Sequence, residues 1–196
     1  MNLTFFLTYC LVMTITPGPT NILILSTIHN HGKKEAIWFC YGSTIGFGLT
    51  LTLGALLNTV LMRYTPPLLV IMQWIGSAYL LYLAYQITFS HHAVEQSIEH
   101  GSFKRGIILQ FINPKVVTFC LTVFPSFILP YYTSNIALML FVMIITFIGA
   151  FSFFIWVTFG SLLMQWMRRY HQTVNGIMAL FLVYLAILIS GILEYF

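Results

Sequence analysis

Two stretches of this chain place chemistry where an apolar run would otherwise be uninterrupted. Thr16-Pro17-Gly18-Pro19-Thr20-Asn21 sets two prolines, a glycine and three uncharged polar residues side by side. Gln110-Phe111-Ile112-Asn113-Pro114-Lys115 adds another proline and the one clearly intramembrane ionisable side chain. Proline lacks a backbone N–H and its ring clashes with the carbonyl four residues earlier, so no helix passes through Pro17, Pro19 or Pro114 undisturbed. The carbonyls of Met13 and Ile15 are thereby expected to lose their partners. If Pro19 opens a second half-helix at the first helical position, the amides of Thr20, Asn21 and Ile22 become donors at a positive dipole end. Such an end suits an anion, for instance a carboxylate.

The elements that carry these stretches must lie in a bilayer. Of 196 residues, 59% are hydrophobic and only 6% charged, with a mean hydropathy of +0.91, outside the range of soluble domains. In hydrocarbon an unpaired backbone group costs several kcal/mol, so a broken helix at membrane depth belongs where it lines a site or a watered cavity. There is no Asp, and Glu35, Glu95, Glu99 and Glu194 fall at or beyond the ends of apolar runs. The net charge of +4 sits on loop Lys and Arg, which reads as topology information and not as a nucleic-acid footprint. Met1-Asn2-Leu3 shows no basic segment and no small-residue cleavage site follows, so the first apolar run is expected to stay as a span. Cys10, Cys40 and Cys120 lie within apolar runs and form no disulfide framework.

Apolar runs long enough to cross a bilayer fall near 3–28, 37–62, 66–89, 106–129, 135–163 and 174–193. The expected fold is all-α and integral to the membrane, a single transporter domain over 1–196 with six transmembrane helices, of which the first and fourth are broken by proline. Lys33 and Lys34, Lys104 and Arg105, and Arg168 and Arg169 occupy the first, third and fifth loops, whereas the second and fourth offer only Arg63. Cytoplasmic loops carry the positive excess, so both termini are expected outside. Aligning Ile15-Thr16-Pro17 with Ile112-Asn113-Pro114 superposes two three-span halves, 1–89 and 106–196, related as an inverted-topology repeat. At 1.5 Å per residue, Pro17 lies roughly 16 Å, and Pro114 about 12 Å, from the cytoplasmic ends of their spans. Both breaks are expected to meet near mid-membrane.

Gly42 and Gly46 have the small-xxx-small spacing that lets helices approach closely, and with Gly48 and Gly54 they permit a homodimer without requiring one. Tyr79, Tyr82 and Tyr85 recur along one side of the third span, where interface anchoring and packing account for most of the pattern. His29, His31, His91, His92, His100 and His171 fall in loops or their margins, at spacings that fit no metal-ligand set.

Taken in order, Thr16-Pro17-Gly18-Pro19-Thr20-Asn21-Ile22-Leu23, His31-Gly32-Lys33, Trp74-Ile75-Gly76-Ser77-Ala78-Tyr79-Leu80, Leu109-Gln110-Phe111-Ile112-Asn113-Pro114-Lys115 and Phe124-Pro125-Ser126-Phe127-Ile128-Leu129-Pro130 resemble the LysE/RhtB family of bacterial amino-acid exporters. Within it the chain looks most similar to the cysteine and O-acetylserine branch. The resemblance implies a multi-pass protein of the bacterial inner membrane that exports a small amino acid, driven by the proton gradient and without a cofactor. One departure concerns span five, where many relatives carry an acidic residue and this chain runs Thr146-Phe147-Ile148-Gly149-Ala150-Phe151-Ser152. That argues against the homoserine and threonine type and leaves Lys115 as the only titratable candidate away from the interfaces.

An amino acid is a zwitterion and needs two opposite contacts. Its carboxylate is expected to meet the amides after Pro19 and the ammonium of Lys115, and its amino group the carbonyls of Ile15 and Gln110. Thr16, Thr20, Asn21, Gln110 and Asn113 complete the polar shell, on a backbone shaped by Pro17, Gly18, Pro19 and Pro114. The plainer alternatives are a Lys115 stem that snorkels to the surface, prolines that only kink, and an Asn21 that bonds a neighbouring helix. Rival functions fare worse. Export of lysine, homoserine or threonine keeps the same build; a thiol redox conduit would need Cys10 and Cys120 near the breaks; a cation exporter would need carboxylate or oxygen ligands at mid-membrane. No Ser/His, paired-carboxylate or metal-ligand constellation inside the spans supports an enzyme.

Overall fold

Prolines and glycines decide where the helices of this chain stop. The computed structural model describes residues 2–64 and 102–170, with isolated positions between 74 and 85 and between 173 and 190. Asn2 caps helix α1, Leu3–Ile15, its side chain accepting from the amides of Thr4 at 3.1 Å and Phe5 at 3.4 Å. After a break at 16–18, Pro19 occupies the first helical position of α2, Pro19–His31. Gly32, at φ +86°, closes α2 in a conformation that costs a residue without a Cβ little. α3, Lys33–Tyr64, then runs unbroken for 32 residues.

The second half of the described chain repeats the theme. Ser102 caps α4, Phe103–Ile112, and Asn113 separates it from α5, Pro114–Val123, which again has proline at its start. Pro125 cannot donate to the carbonyl four residues before it, and the chain passes through a π-helical turn over Phe124–Ile128, in which the Leu129 amide reaches the Phe124 carbonyl at 2.8 Å. α6, Asn135–Arg169, is the last long helix among the described residues.

α3 over Lys33–Leu57 and α6 over Asn135–Gly160 are each long and apolar enough to cross a bilayer. The α1–α2 pair, bent by 43°, and the pair of α4 with Lys115–Ile128, bent by 58°, pass the same test as broken spans. The chain is therefore a multi-pass, all-helical membrane protein among the described residues. Spans at 66–89 and 174–193, and with them the six-span count, Tyr79 and the histidines at 91, 92, 100 and 171, lie outside the described residues, apart from single helical positions such as Trp74, Tyr85 and Ala186.

The glycines of α3 are consumed inside the chain. A Cβ on Gly42 would collide with the Phe103 carbonyl, and one on Gly46 would lie 2.6 Å from the Ile107 carbonyl oxygen. From the other side, a Cβ on Gly106 would strike the carbonyl of Phe39. α3 and α4 thus pack backbone to backbone, which only glycine permits. Gly48 faces Thr146 of α6 and Gly54 faces Cys120 of α5. The glycine faces that were expected to permit a homodimer are already occupied.

Two apolar clusters bracket the middle of the molecule. One gathers Phe6, Tyr9, Phe119 and Phe124 with Ile145; the other joins Ile24 and Phe39 to Phe153, Trp156 and Val157. Lys33, Lys34 and Lys104 are exposed beside the second cluster's end, where α2 finishes, α3 and α4 begin and α6 ends near Arg169.

Candidate functional site

The break at 16–18 releases carbonyls, and those of Thr14, Ile15 and Thr16 find donors. Thr16 turns its amide to the Val12 carbonyl at 2.9 Å and its hydroxyl to the same oxygen. The Asn21 Nδ2 donates to the carbonyls of Thr14 at 3.2 Å and Thr16 at 2.9 Å. Trp156, from the middle of α6, donates its indole N–H to the Ile15 carbonyl at 3.0 Å. Finally the Lys115 ammonium, from α5, donates to the Thr16 carbonyl.

Three expectations change as a result. The Ile15 carbonyl is held by Trp156, not left for a ligand. Asn21 ties together its own broken segment instead of a neighbouring helix. The Ile22 amide donates to the Gly18 carbonyl at 3.0 Å, so the positive end of α2 consists of the Thr20 and Asn21 amides, and no side chain caps it.

The second break is a single residue wide. Asn113 ends α4 by donating its amide to the Leu109 carbonyl at 2.8 Å and starts α5 by accepting the Lys115 amide on Oδ1 at 3.0 Å. Its carbonyl takes the amides of Val116 and Val117. What remains, Nδ2, reaches across to the Thr20 hydroxyl at 3.2 Å, and the Gln110 Nε2 reaches the same oxygen at 3.2 Å. A hydroxyl oxygen has two lone pairs, enough for both donors. Thr20 is thus the node that fastens one break to the other.

Lys115 lies along this junction. A Cβ on Gly18 would stand 3.0 Å from Lys115 Cδ and 3.3 Å from Nζ, so the glycine clears the path of the stem. The ammonium ends beside the carbonyl end of α1 and the uncapped amide end of α2. A positive group beside a positive dipole end creates a demand for an anion there.

A narrow cavity opens at the junction, with about 390 Å³ of empty space once its open mouth is counted. Gly18, Thr20, Asn21, Gln110, Asn113 and Lys115 line its polar side, and Met13, Phe47, Val116, Phe119 and Phe153 its apolar side. Of the remaining residues expected at the site, Thr16 contributes its carbonyl, whereas Pro17 and Pro19 shape the backbone without lining the cavity. Pro114 opens α5. At 1.5 Å per residue, Phe47 is about 21 Å along α3 from Lys33, and Phe153 about 27 Å along α6 from Asn135, which sets the cavity near mid-span.

Sequence reasoning missed Trp156 and the aromatic wall. The available signal was an indole N–H in the middle of an apolar helix, where it must find an acceptor. The wall of Phe47, Phe119 and Phe153 carried none, since each is one of many phenylalanines in apolar runs. Cys10 and Cys120 are free, buried thiols in the first apolar cluster, and neither lines the cavity.

The family model of the LysE type translocators matches residues 11–190, taking in both breaks. The chain belongs to the LysE-type translocator family. As such it is similar over nearly its whole length to curated translocators. One, the cysteine/O-acetylserine efflux protein of Klebsiella pneumoniae, is 33% identical over 183 residues, 93% of each chain. Its counterpart in Salmonella typhimurium is 33% identical over 188 residues, covering 95% of this chain and 96% of the relative. The protein of the same description in Escherichia coli K12 is 31% identical over 188 residues, 93% of this chain and 94% of the relative. No solved structure matches the chain.

Proposed function

We propose that this translocator is a secondary transporter of the bacterial inner membrane that exports small neutral amino acids or their derivatives, of the cysteine and O-acetylserine kind, from the cytoplasm. The observation that carries the reading is the Lys115 ammonium set beside the uncapped amides of Thr20 and Asn21 in a mid-span cavity with no acidic residue among the described residues of its lining. A substrate carboxylate answers that concentration of positive charge. The apolar wall of Met13, Phe47, Val116, Phe119 and Phe153 takes a short uncharged side chain. A lysine substrate would bring a second ammonium with no carboxylate in the lining to receive it. The relatives described as cysteine/O-acetylserine efflux proteins support the choice among neutral substrates.

The same reading holds the chain to be one domain of two inverted three-helix halves, 1–89 and 106–196, with both termini outside. Its support is the pair of breaks, each a helix end followed by a proline-initiated helix, and the gathering of Lys33, Lys34, Lys104 and Arg105 at one end.

The test is mass spectrometry of amino acids in the medium of cells overproducing the wild type or an equally expressed Lys115→Ala variant. Cysteine or O-acetylserine accumulating outside with the wild type and falling to the vector level with the variant is the expected result. Equal export by both strains would overturn the role of Lys115, and no amino-acid export by either would overturn the substrate class.

A further inference from the structure

Two buried side-chain oxygens, on residues of the cavity's polar wall, have no donor among the described residues. Asn21 is 2% exposed and Gln110 fully buried, both line the cavity, and Asn21 Oδ1 and Gln110 Oε1 make no hydrogen bond. The Asn21 amide is fixed by its partners. Its Nδ2 faces the carbonyl oxygens of Thr14 and Thr16, and a carbonyl can only accept, so rotating it would press acceptor against acceptor. Gln110 Nε2 faces the Gly106 carbonyl at 3.4 Å and the Thr20 hydroxyl at 3.2 Å, which also receives Asn113 Nδ2. In this arrangement both side-chain oxygens are left free.

Buried acceptors without donors are costly and few in native proteins. Here two of them sit on residues of one cavity, beside the Lys115 ammonium, which has N–H groups beyond the one given to Thr16, and the amide end of α2, both donors. The wall thus offers donors for an anion and acceptors for a cation on adjacent side chains.

We propose that Asn21 Oδ1 and Gln110 Oε1 form an ammonium subsite, accepting two N–H bonds from the α-amino group of the transported molecule while its carboxylate lies toward Lys115. This rests on the amino-acid export reading and narrows it. The substrate must carry a free, protonated amine, and deaminated or N-acylated analogues are rejected because they leave both oxygens without donors. The subsite replaces the Ile15 carbonyl, which Trp156 occupies, as the acceptor for the amine.

The experiment uses the full chain in proteoliposomes, with radiolabelled L-cysteine kept reduced as the transported probe and 3-mercaptopropionate, the same molecule without its amine, as competitor. On the wild type, unlabelled cysteine is expected to compete at least about tenfold better than 3-mercaptopropionate, as the loss of a hydrogen bond to a charged group implies. In Gln110→Met and in Asn21→Leu, cysteine should fall to the affinity of the deaminated analogue. The analogue's own affinity in each variant reports how far the cavity has changed, so the readout is the ratio of the two affinities, which should fall toward one. Equal competition by both compounds on the wild type overturns the subsite whatever the variants do, and so does undiminished discrimination in both variants. Absence of any cysteine uptake by the wild type overturns the export reading itself and the subsite with it; uptake without discrimination overturns the subsite alone.

Discussion

Gly18 shows how much at this junction depends on single atoms. Adding one carbon there sets a methyl 3.0 Å from the Lys115 stem, and because that stem is flexible it yields before the backbone does. Gly18→Ala is therefore expected to fold and to reach the membrane in normal amount, yet to lower the initial export rate by about tenfold, one hydrogen bond to a charged group being at stake. Efflux normalised to expression checks this, and an unchanged rate would mean that the position of the ammonium does not matter. Trp156 and Tyr9 make a contrasting pair. Trp156→Phe leaves the Ile15 carbonyl without its donor in a buried break, at a cost of roughly 1–3 kcal/mol. Among the described residues the Tyr9 hydroxyl bonds only to that of Thr122, which also bonds to the carbonyls of Thr118 and Phe119. Tyr9→Phe should thus cost less, about 0.5–1.5 kcal/mol. Thermal unfolding in detergent orders the two, and a larger loss in Tyr9→Phe would contradict the account of the break.

Between elements the decisive contact is α3 against α4. Gly42, Gly46 and Gly106 place backbone against backbone, so a methyl at Gly42 or Gly106 meets a carbonyl that no rotamer can move. Gly42→Ala and Gly106→Ala should each push α4 off α3 and, since Gln110 and Asn113 hang from the end of α4, abolish transport along with much of the folded yield. A Cβ on Gly48 would instead lie 3.2 Å from the Thr146 hydroxyl, a side-chain atom, so Gly48→Ala should retain most of both. Size-exclusion profiles of the three variants in detergent separate these outcomes. The small-xxx-small spacing of Gly42 and Gly46 announced a close approach from sequence, and the structure supplies its partner. It did not announce whether the partner was a second copy or α4, because spacing describes one face of a contact and carries no information about the other.

For the molecule as a whole the open geometric statement is its orientation. Lys33, Lys34 and Lys104 are exposed at one end, and the turn holding Ser134, whose hydroxyl accepts the Ala137 amide at 3.3 Å, precedes α6 at the other. With the native cysteines replaced, Ser134→Cys should react with a membrane-impermeant maleimide added to intact cells, and Lys34→Cys only after the membrane is opened. The reverse pattern would invert the topology and, with it, the direction read for transport. Both apolar clusters contribute to the cavity wall, the first through Met13, Phe47, Val116 and Phe119 and the second through Phe153.

Composition and proline placement alone determined that the chain spans a membrane, that its helices break at 16–18 and at Asn113, and that Thr20, Asn21, Gln110, Asn113 and Lys115 belong near those breaks. These are local consequences: a missing N–H at Pro19 or Pro114 acts within one turn, and a run of apolar residues seeks hydrocarbon wherever it lies. Only the tertiary structure decided that Thr20 receives both amides of the second break, that Trp156 reaches Ile15 across 141 positions of sequence, and that Asn21 and Gln110 keep one oxygen each without a donor. Those facts depend on which side chains meet once separate helices pack, and a one-dimensional pattern of polarity does not encode the rotation of one helix against another.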